Sequence, residues 1–403
     1  MRLWFSLCLL FGMVPLGAAD GGSKLVVISI DGLDYRFLRD ADRLHLKIPV
    51  LRKLMARGAV ADGVIDSPPT DSWPSTTTLV TGVLPARHGV TANDRLDQSS
   101  KVTTLWQAAM NAHLKTALLD WPATNTASAD FVCPQVWEKP QQTAVPFDPI
   151  AQKCTAGLVT RIASVYPRFT KSLWNDESAI VALEYLLQYE TPDLSMAHLT
   201  DLDSEQHETG ALSIYSRDIL ENDDELLGLM LAHLPPHSTV AIVSGNGFET
   251  QNYVVRPRVL AHSDAVEVKD GLIGTTDPKT AAILRKLVPL KKNGLSREVP
   301  MLEVKRYDPA LSGWVAAFST LPGYVAVDGN QGPAVGPGSH KGVHGLWPTR
   351  PNYRSVFIVS GERVKAVHLG EISSLDVAPT LASIIGVTLP EAKQPSLWAK
   401  CKK

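Results

Sequence analysis

Lys24-Leu25-Val26-Val27-Ile28-Ser29-Ile30-Asp31-Gly32 is the stretch that decides the fold. Seven residues rich in β-branched side chains run into an Asp-Gly turn, which predicts a short strand. Leu194 to Leu199, Thr239 to Ser244 and Ser355 to Ser360 are also short apolar runs, and they are apolar at both alternating sets of positions. Strands of that kind belong in a sheet covered on both faces, which is the habit of parallel sheets. Between them, Ile48 to Arg57 places apolar residues at helical spacing and stops before Gly58, which predicts a helix with a glycine C-cap. Strand and helix therefore alternate, and the expected class is α/β: a mostly parallel central sheet with helices on both faces. Two stretches richer in Pro, Gly and polar residues, at about 123–171 and 249–337, interrupt the alternation. They read as cap segments inserted into a single domain that runs from residue 20 to 403.

The 403 residues, 44% of them apolar, suffice for one large core. Lys and Arg total 39 against 41 Asp and Glu, a net charge of −2 with no basic stripe, so a nucleic-acid polymer is disfavoured as a partner. Met1-Arg2, an apolar run from Leu3 to Leu16 and then Gly17-Ala18-Ala19 follow the order of a secretory signal, with cleavage expected near Ala19. The run is shorter than the ~20 residues a bilayer requires. The chain is thus expected to be exported, to the periplasm or the extracellular space. Cys8 leaves with the leader; Cys133 and Cys154 can close a short loop in an oxidising compartment, leaving Cys401 unpaired. No Cys has a CxxC partner, which argues against a thiolate metal site.

In open α/β sheets ligands bind beyond the carboxyl ends of the strands. Those ends are polar here: Asp31 after the first run, Asp201-Leu202-Asp203-Ser204-Glu205-Gln206-His207 after the second, and Gly245-Asn246-Gly247 after the third. A lone Asp after a strand is commonly a turn former, so it is the meeting of several such ends that points to a site. Asp203 and His207 stand four apart, a spacing that puts both on one face of a starting helix. His344 lies between glycines in Gly342-Val343-His344-Gly345. Two imidazoles and one carboxylate with an open position are a ligand set for a divalent ion, most naturally zinc. Ser72, two residues before Pro74 and at the head of a segment running to Gly82, falls near a helix N-terminus. There it is either a simple N-cap or a hydroxyl placed where an alkoxide and a phosphate are both stabilised.

Taken in order, these segments resemble the type I phosphodiesterase/nucleotide pyrophosphatase branch of the alkaline phosphatase superfamily. The matching blocks are Ile28 to Gly32, Trp73-Pro74-Ser75 through Leu79 to Gly82, Pro85 to Gly89, Thr191 to Asp193, His198 to Asp203 with His207, Ser244 with Gly247-Phe248, His344-Gly345, and Ser374 to Leu381. The resemblance implies that Asp203, His207 and His344 hold one divalent metal, while Asp31 and the nucleophile Ser72 belong to a second. Ser75 and Trp73 would lie beside the substrate, although Trp73 reads equally as core. The implied reaction is hydrolysis of a small phosphate ester through a covalent Ser72 intermediate.

Three departures bear on activity. The family usually has Ser-Asp-His-Gly where this chain has Ser244-Gly245-Asn246-Gly247, so a carboxylate and an imidazole are missing from the second site. Asn246 retains only a neutral amide oxygen, better suited to a harder cation than to zinc. Thr76 replaces a common His, and Gln206 a common Gly. Two readings follow: an active phosphodiesterase or phosphatase, its second site completed by residues such as Asp34, Asp201 or Glu249, or a catalytically weakened relative that binds phosphate esters or a partner. Thr76 stands where a sulfatase needs Arg, and no G-x-S-x-G elbow follows a strand, which disfavours a sulfatase and an α/β-hydrolase-type serine hydrolase. His88 and His198 read as structural, His198 as a satisfied buried imidazole.

Overall fold

In the computed structural model, which describes residues 23–93, 98–135, 151–169 and 175–403, the first strand is buried from Leu25 to Ile30. The expected leader at 1–19 lies outside the described residues. The central sheet contains β1 (Lys24–Ile30), β2 (Ala59–Val60), β3 (Thr116–Trp121), β4 (Phe131–Pro134), β5 (Leu194–Leu199), β6 (Ser238–Val243), β7 (Phe357–Gly361) and β8 (Val367–His368). Their spatial order is β8-β2-β7-β6-β1-β5-β3-β4, and β7 runs antiparallel to both of its neighbours. The other pairings are parallel, which bears out the mostly parallel sheet. The helices that carry or support the site are α1 (Pro49–Arg57), α2 (Ser72–Thr81), α3 (Asp176–Tyr185), α4 (Asp201–Thr209), α5 (Ile214–Leu231) and α6 (Val377–Ile384).

Alternation along β1 decides what lies on each side. Val26, Ile28 and Ile30 pack with Leu51 of α1, Ile180 and Leu183 of α3, and Leu220 and Leu227 of α5. Leu25 and Val27 pack against the opposite layer, with Leu79 and Val80 of α2 and with Val377 and Leu381 of α6. Each of these side chains contributes about 1.5–3 kcal/mol on burial, more than a typical surface ion pair. The two apolar rows therefore fix the register. Ser29 and Asp31 extend the second row, so Asp31 leaves β1 on the side where α2 begins.

Gly58 is the C-cap of α1 as expected, with an extended backbone rather than in the left-handed region; a Cβ there would lie 2.3 Å from the Val359 carbonyl oxygen of β7, so close approach is what requires glycine. One expectation needs correction. The 123–171 stretch is not only a cover, since its residues Phe131–Pro134 form the edge strand β4. Within 249–337, Glu267–Lys269, Leu272–Thr275, Ala316–Thr320 and Leu295–Val299 form a four-stranded sheet, and Tyr253–Val255 lies between Tyr324–Ala326 and Val335–Pro337. Among the described residues no helix is long and apolar enough to cross a membrane.

Cys133 of β4 is joined to Cys154 in a disulfide spanning 21 residues, and Cys401 is a buried free thiol. A loop of that length stabilises the fold by about 3 kcal/mol in the chain-entropy account. Replacing both half-cystines by Ser is expected to lower stability by about that amount in urea titrations. An unfolded chain prepared from residue 20 onward should titrate one thiol before reduction and three after.

Candidate active site

Parallel strands deliver their carboxyl ends to one edge of the sheet, and the candidate residues collect there. A carboxylate from α3 sets the geometry: Asp176 accepts the backbone N–H groups of Thr200 (2.7 Å) and Asp201 (3.1 Å), holding the turn from β5 into α4. On α4, Asp203 and His207 face the same way, with His207 Nε2 3.5 Å from Asp203 Oδ2. His344 follows the short strand Gly342–Val343 and brings its Nε2 to 3.6 Å from Asp203 Oδ1. Nδ1–H of His207 donates to the Gly342 carbonyl at 3.0 Å, which leaves its Nε2 lone pair free. Phe248, fully buried, meets both imidazoles edge to face at 5.0 and 5.4 Å between ring centroids. One ligand atom from each of Asp203, His207 and His344 lies within 4.8 Å of the others, a set that can hold a metal ion.

The electrostatics agree with a cation site. Burial, reinforced by the charge on Asp31, lifts the Asp203 carboxyl to about 8. Burial and His344 push His207 down to about 4. For His344 burial acts downward, but Asp71, Asp203 and Asp31 together raise it to about 9; its Nδ1 is 3.5 Å from Asp71 Oδ1. Burial acts to raise Asp31, and the nearby His198, His344 and Ser72 overcome it, so the carboxyl lies below its ordinary range.

Ser72 is the first residue of α2, and the N-cap is Asp71, whose side chain makes no capping bond. The simple N-cap role for Ser72 is thereby excluded. Its buried hydroxyl lies close enough to Asp31 to favour the ionised carboxylate. At the same helix end the Trp73 N–H donates to Asn93 Oδ1 at 2.9 Å, which fixes the amide so that its NH2 group remains a donor. Asn93 carries no local sequence signal and was missed. Trp73 is a correction: it is buried with Val90 and Ala123 and its Nε1–H donates to Gln135 at 2.7 Å, so its indole belongs to the core. Thr76 returns its hydroxyl to the Ser72 carbonyl (2.6 Å). His88 is structural as read, accepting from the Val90 N–H and donating to Thr78.

Around Asp31 the residues fit the family's second-metal set poorly. A Cβ on Gly245 would stand 2.9 Å from Cβ of Ser75, so the missing side chain's space has closed against α2. Asn246 is fully buried, and its Oδ1 has no hydrogen-bond partner among the described residues; Ser75 Oγ is likewise unpartnered. Two of the candidates for completing the site are committed elsewhere: Asp34 caps the helix Tyr35–Arg39 and pairs with Arg36, and Glu249 is paired with buried Arg350; Asp201 is the first residue of α4. His198 is the other correction. It is fully buried on β5, neither ring nitrogen has a hydrogen-bond partner among the described residues, and Nε2 is 3.5 Å from Asp31 Oδ2.

Two outcomes follow. Because burial raises Asp203 and the surrounding carboxylates raise His344, an ion competes with protons at this site, and apparent affinity should rise with pH between 7 and 9, by up to about tenfold per pH unit for each proton displaced. Titration calorimetry in buffers of different ionisation enthalpy reads the released protons. Gly245→Ala should cost on the order of 1–3 kcal/mol through overpacking against Ser75, and adding Ser75→Gly should recover most of it in thermal melts.

Residues 25–301 match the profile of the type I phosphodiesterase / nucleotide pyrophosphatase family. Bovine ectonucleotide pyrophosphatase/phosphodiesterase family member 3 is 22% identical over 239 residues, which are 55% of this chain and 24% of that protein, so the match spans about a quarter of the curated relative. The solved structure of murine ectonucleotide pyrophosphatase/phosphodiesterase 5 superposes with a TM-score of 0.62 at 17% identity, covering 93% of this chain and 98% of that one. The same values hold for the human counterpart and for an inactive form of the murine protein in complex with AMP. With the profile spanning more than half its length, the chain belongs to the type I phosphodiesterase / nucleotide pyrophosphatase family.

Proposed function

We propose that this protein hydrolyses small phosphate esters, with Ser72 as the nucleophile and a divalent ion, most naturally zinc, at Asp203, His207 and His344. The observation that carries the reading is the juxtaposition of Ser72, at the start of a buried helix, with Asp31 and with three metal-competent side chains at the same sheet edge. A bound divalent ion would polarise a phosphate oxygen and lower the pKa of water. The rest falls to the chain itself. Asp31 lies near the Ser72 hydroxyl and can orient it, and the NH2 of Asn93 can offer a hydrogen bond to a phosphate oxygen beside it. The start of α2 adds a favourable dipole for the anion. Ser75 lies within the same helix turn and has an uncommitted hydroxyl, which suits it to a substrate contact. AMP on the murine neighbour supports including nucleotide esters in the substrate class.

We further take residues 20–403 as one catalytic domain after an exported leader. The apolar run at the N-terminus and the Cys133–Cys154 disulfide support a periplasmic or extracellular location.

A second reading, phosphate-ester binding with weakened or no turnover, is favoured by the closure of Gly245 against Ser75, which removes a carboxylate from beside Ser72. Turnover of bis-p-nitrophenyl phosphate and p-nitrophenyl phosphate with added Zn, Mn or Mg separates the two. Under the first reading, Ser72→Ala lowers kcat by about three orders of magnitude or more while the ion at Asp203 is retained. Inertness toward both esters with every metal, alongside retained AMP binding, would establish the second.

A further inference from the structure

The disagreement around Asp31 has a pattern of its own. The family's second metal needs an imidazole and a carboxylate from the residues after β6, and Gly245 and Asn246 provide neither. On the other flank of β1, however, β5 contributes His198, which is in register with Ser29 and lies on the face that Asp31 continues. Met196 and Leu194 of the same strand pack on that face with α2, so His198 points to the layer where Ser72 starts its helix.

His198 and Asp31 stand at a separation that suits shared ligation better than direct bonding. Their 3.5 Å Nε2–Oδ2 distance is long for a charge-assisted hydrogen bond, and neither ring nitrogen of His198 has a hydrogen-bond partner among the described residues. Two donors bound to one tetrahedral zinc at 2.0–2.1 Å are about 3.3 Å apart. The same spacing recurs within the other ligand set, at 3.5 Å for His207 with Asp203 and 3.6 Å for His344 with Asp203. Trp121, edge-on to the His198 ring at 6.0 Å between centroids, helps to hold its plane. A buried imidazole left without partners is costly, and ligation would offset that cost. Asn246 Oδ1 is a second orphaned donor for a cation, immediately beyond Gly245.

We infer that His198 replaces the lost imidazole, so that Asp31, His198 and the Ser72 hydroxyl, with the Asn246 amide oxygen, hold a second divalent ion in a rebuilt site. This deepens the phosphate-ester reading and takes from it only Ser72 as the hydroxyl that an ion would activate.

The test counts and locates metal, without relying on turnover. The purified full chain is loaded with zinc, desalted and measured by inductively coupled plasma mass spectrometry, and crystals are examined by anomalous scattering at the zinc edge. The wild type is expected to carry two ions per chain, with one anomalous peak between Asp31 and His198. His198→Ala and His198→Gln are each expected to carry one, as is Asp31→Asn, while His207→Ala loses the other ion. Gln keeps a hydrogen-bond donor for Asp31, so retention of both ions in His198→Gln would make His198 a positioning residue and overturn the ligand assignment. A wild type with one ion, or with no peak beside His198, overturns it even if the variants fail to fold. Two ions with no ester turnover would instead sink the hydrolase reading and leave this site standing.

Discussion

Two carboxylates, Asp31 and Asp203, are buried at the same edge of the sheet, close enough for the charge of one to raise the other. Like charges in a poorly solvated pocket must protonate, separate or find a cation. Separation is ruled out by the fold, because β1 and β5 are adjacent and parallel, so the residues that follow them emerge together. Nearby arginines offer no relief: Arg36 is engaged by Asp34 and Arg350 by Glu249. What surrounds the carboxylates is imidazole, from His207, His344 and His198, and imidazole is a partner that can bind an ion as readily as it can carry a proton. The arrangement is that of a cation site more than of a salt-bridge network.

The two halves of the pocket have fared differently. Around Asp203 the ligands have support: a backbone carbonyl fixes the tautomer of His207, Asp71 Oδ1 stands 3.5 Å from His344 Nδ1, and Phe248 props both rings. Such contacts hold metal ligands in position and are as much a part of the site as the ligands. Around Asp31 the helix start at Ser72 survives, but α2 has settled against Gly245 and left hydroxyl, amide and imidazole atoms without partners. Buried polar atoms without partners are uncommon in folded proteins, and both halves of the pocket hold them: Ser75 Oγ, Asn246 Oδ1 and the His198 ring on one side, Asp203 Oδ1 and His344 Nδ1 on the other.

What could be read from the chain was what leaves a local signature. Burial on both faces writes apolar runs such as Leu25 to Ile30, and a helix period writes Asp203 and His207 four apart, so the sheet and one ligand set were visible. His198, Asn93 and Asp71 act through strand register or across a turn, and no local pattern distinguishes them from strand or loop filler. Trp73 was ambiguous for the same reason, since the acceptor that commits its indole is 62 residues away. Gly58 carried a correct signal with a different cause: a glycine was needed, but for contact with β7 and not for a left-handed turn at the helix end.

The residues from 249 to 343 leave the main body and return through a paired base. Thr250 pairs with Gly342 and Glu249 with Val343, and the buried Arg350–Glu249 ion pair locks the base of the excursion. His344 is the first residue past that base, and the turn after it is tied to the contents of the excursion: Trp347 packs with Leu272, Val299 and Trp314 and donates to Glu303, while Arg350 donates to the Thr320, Leu321 and Tyr324 carbonyls. The imidazole is thus held between two anchorages, so the segment can vary in its outer turns but must keep those contacts if His344 is to stay in place.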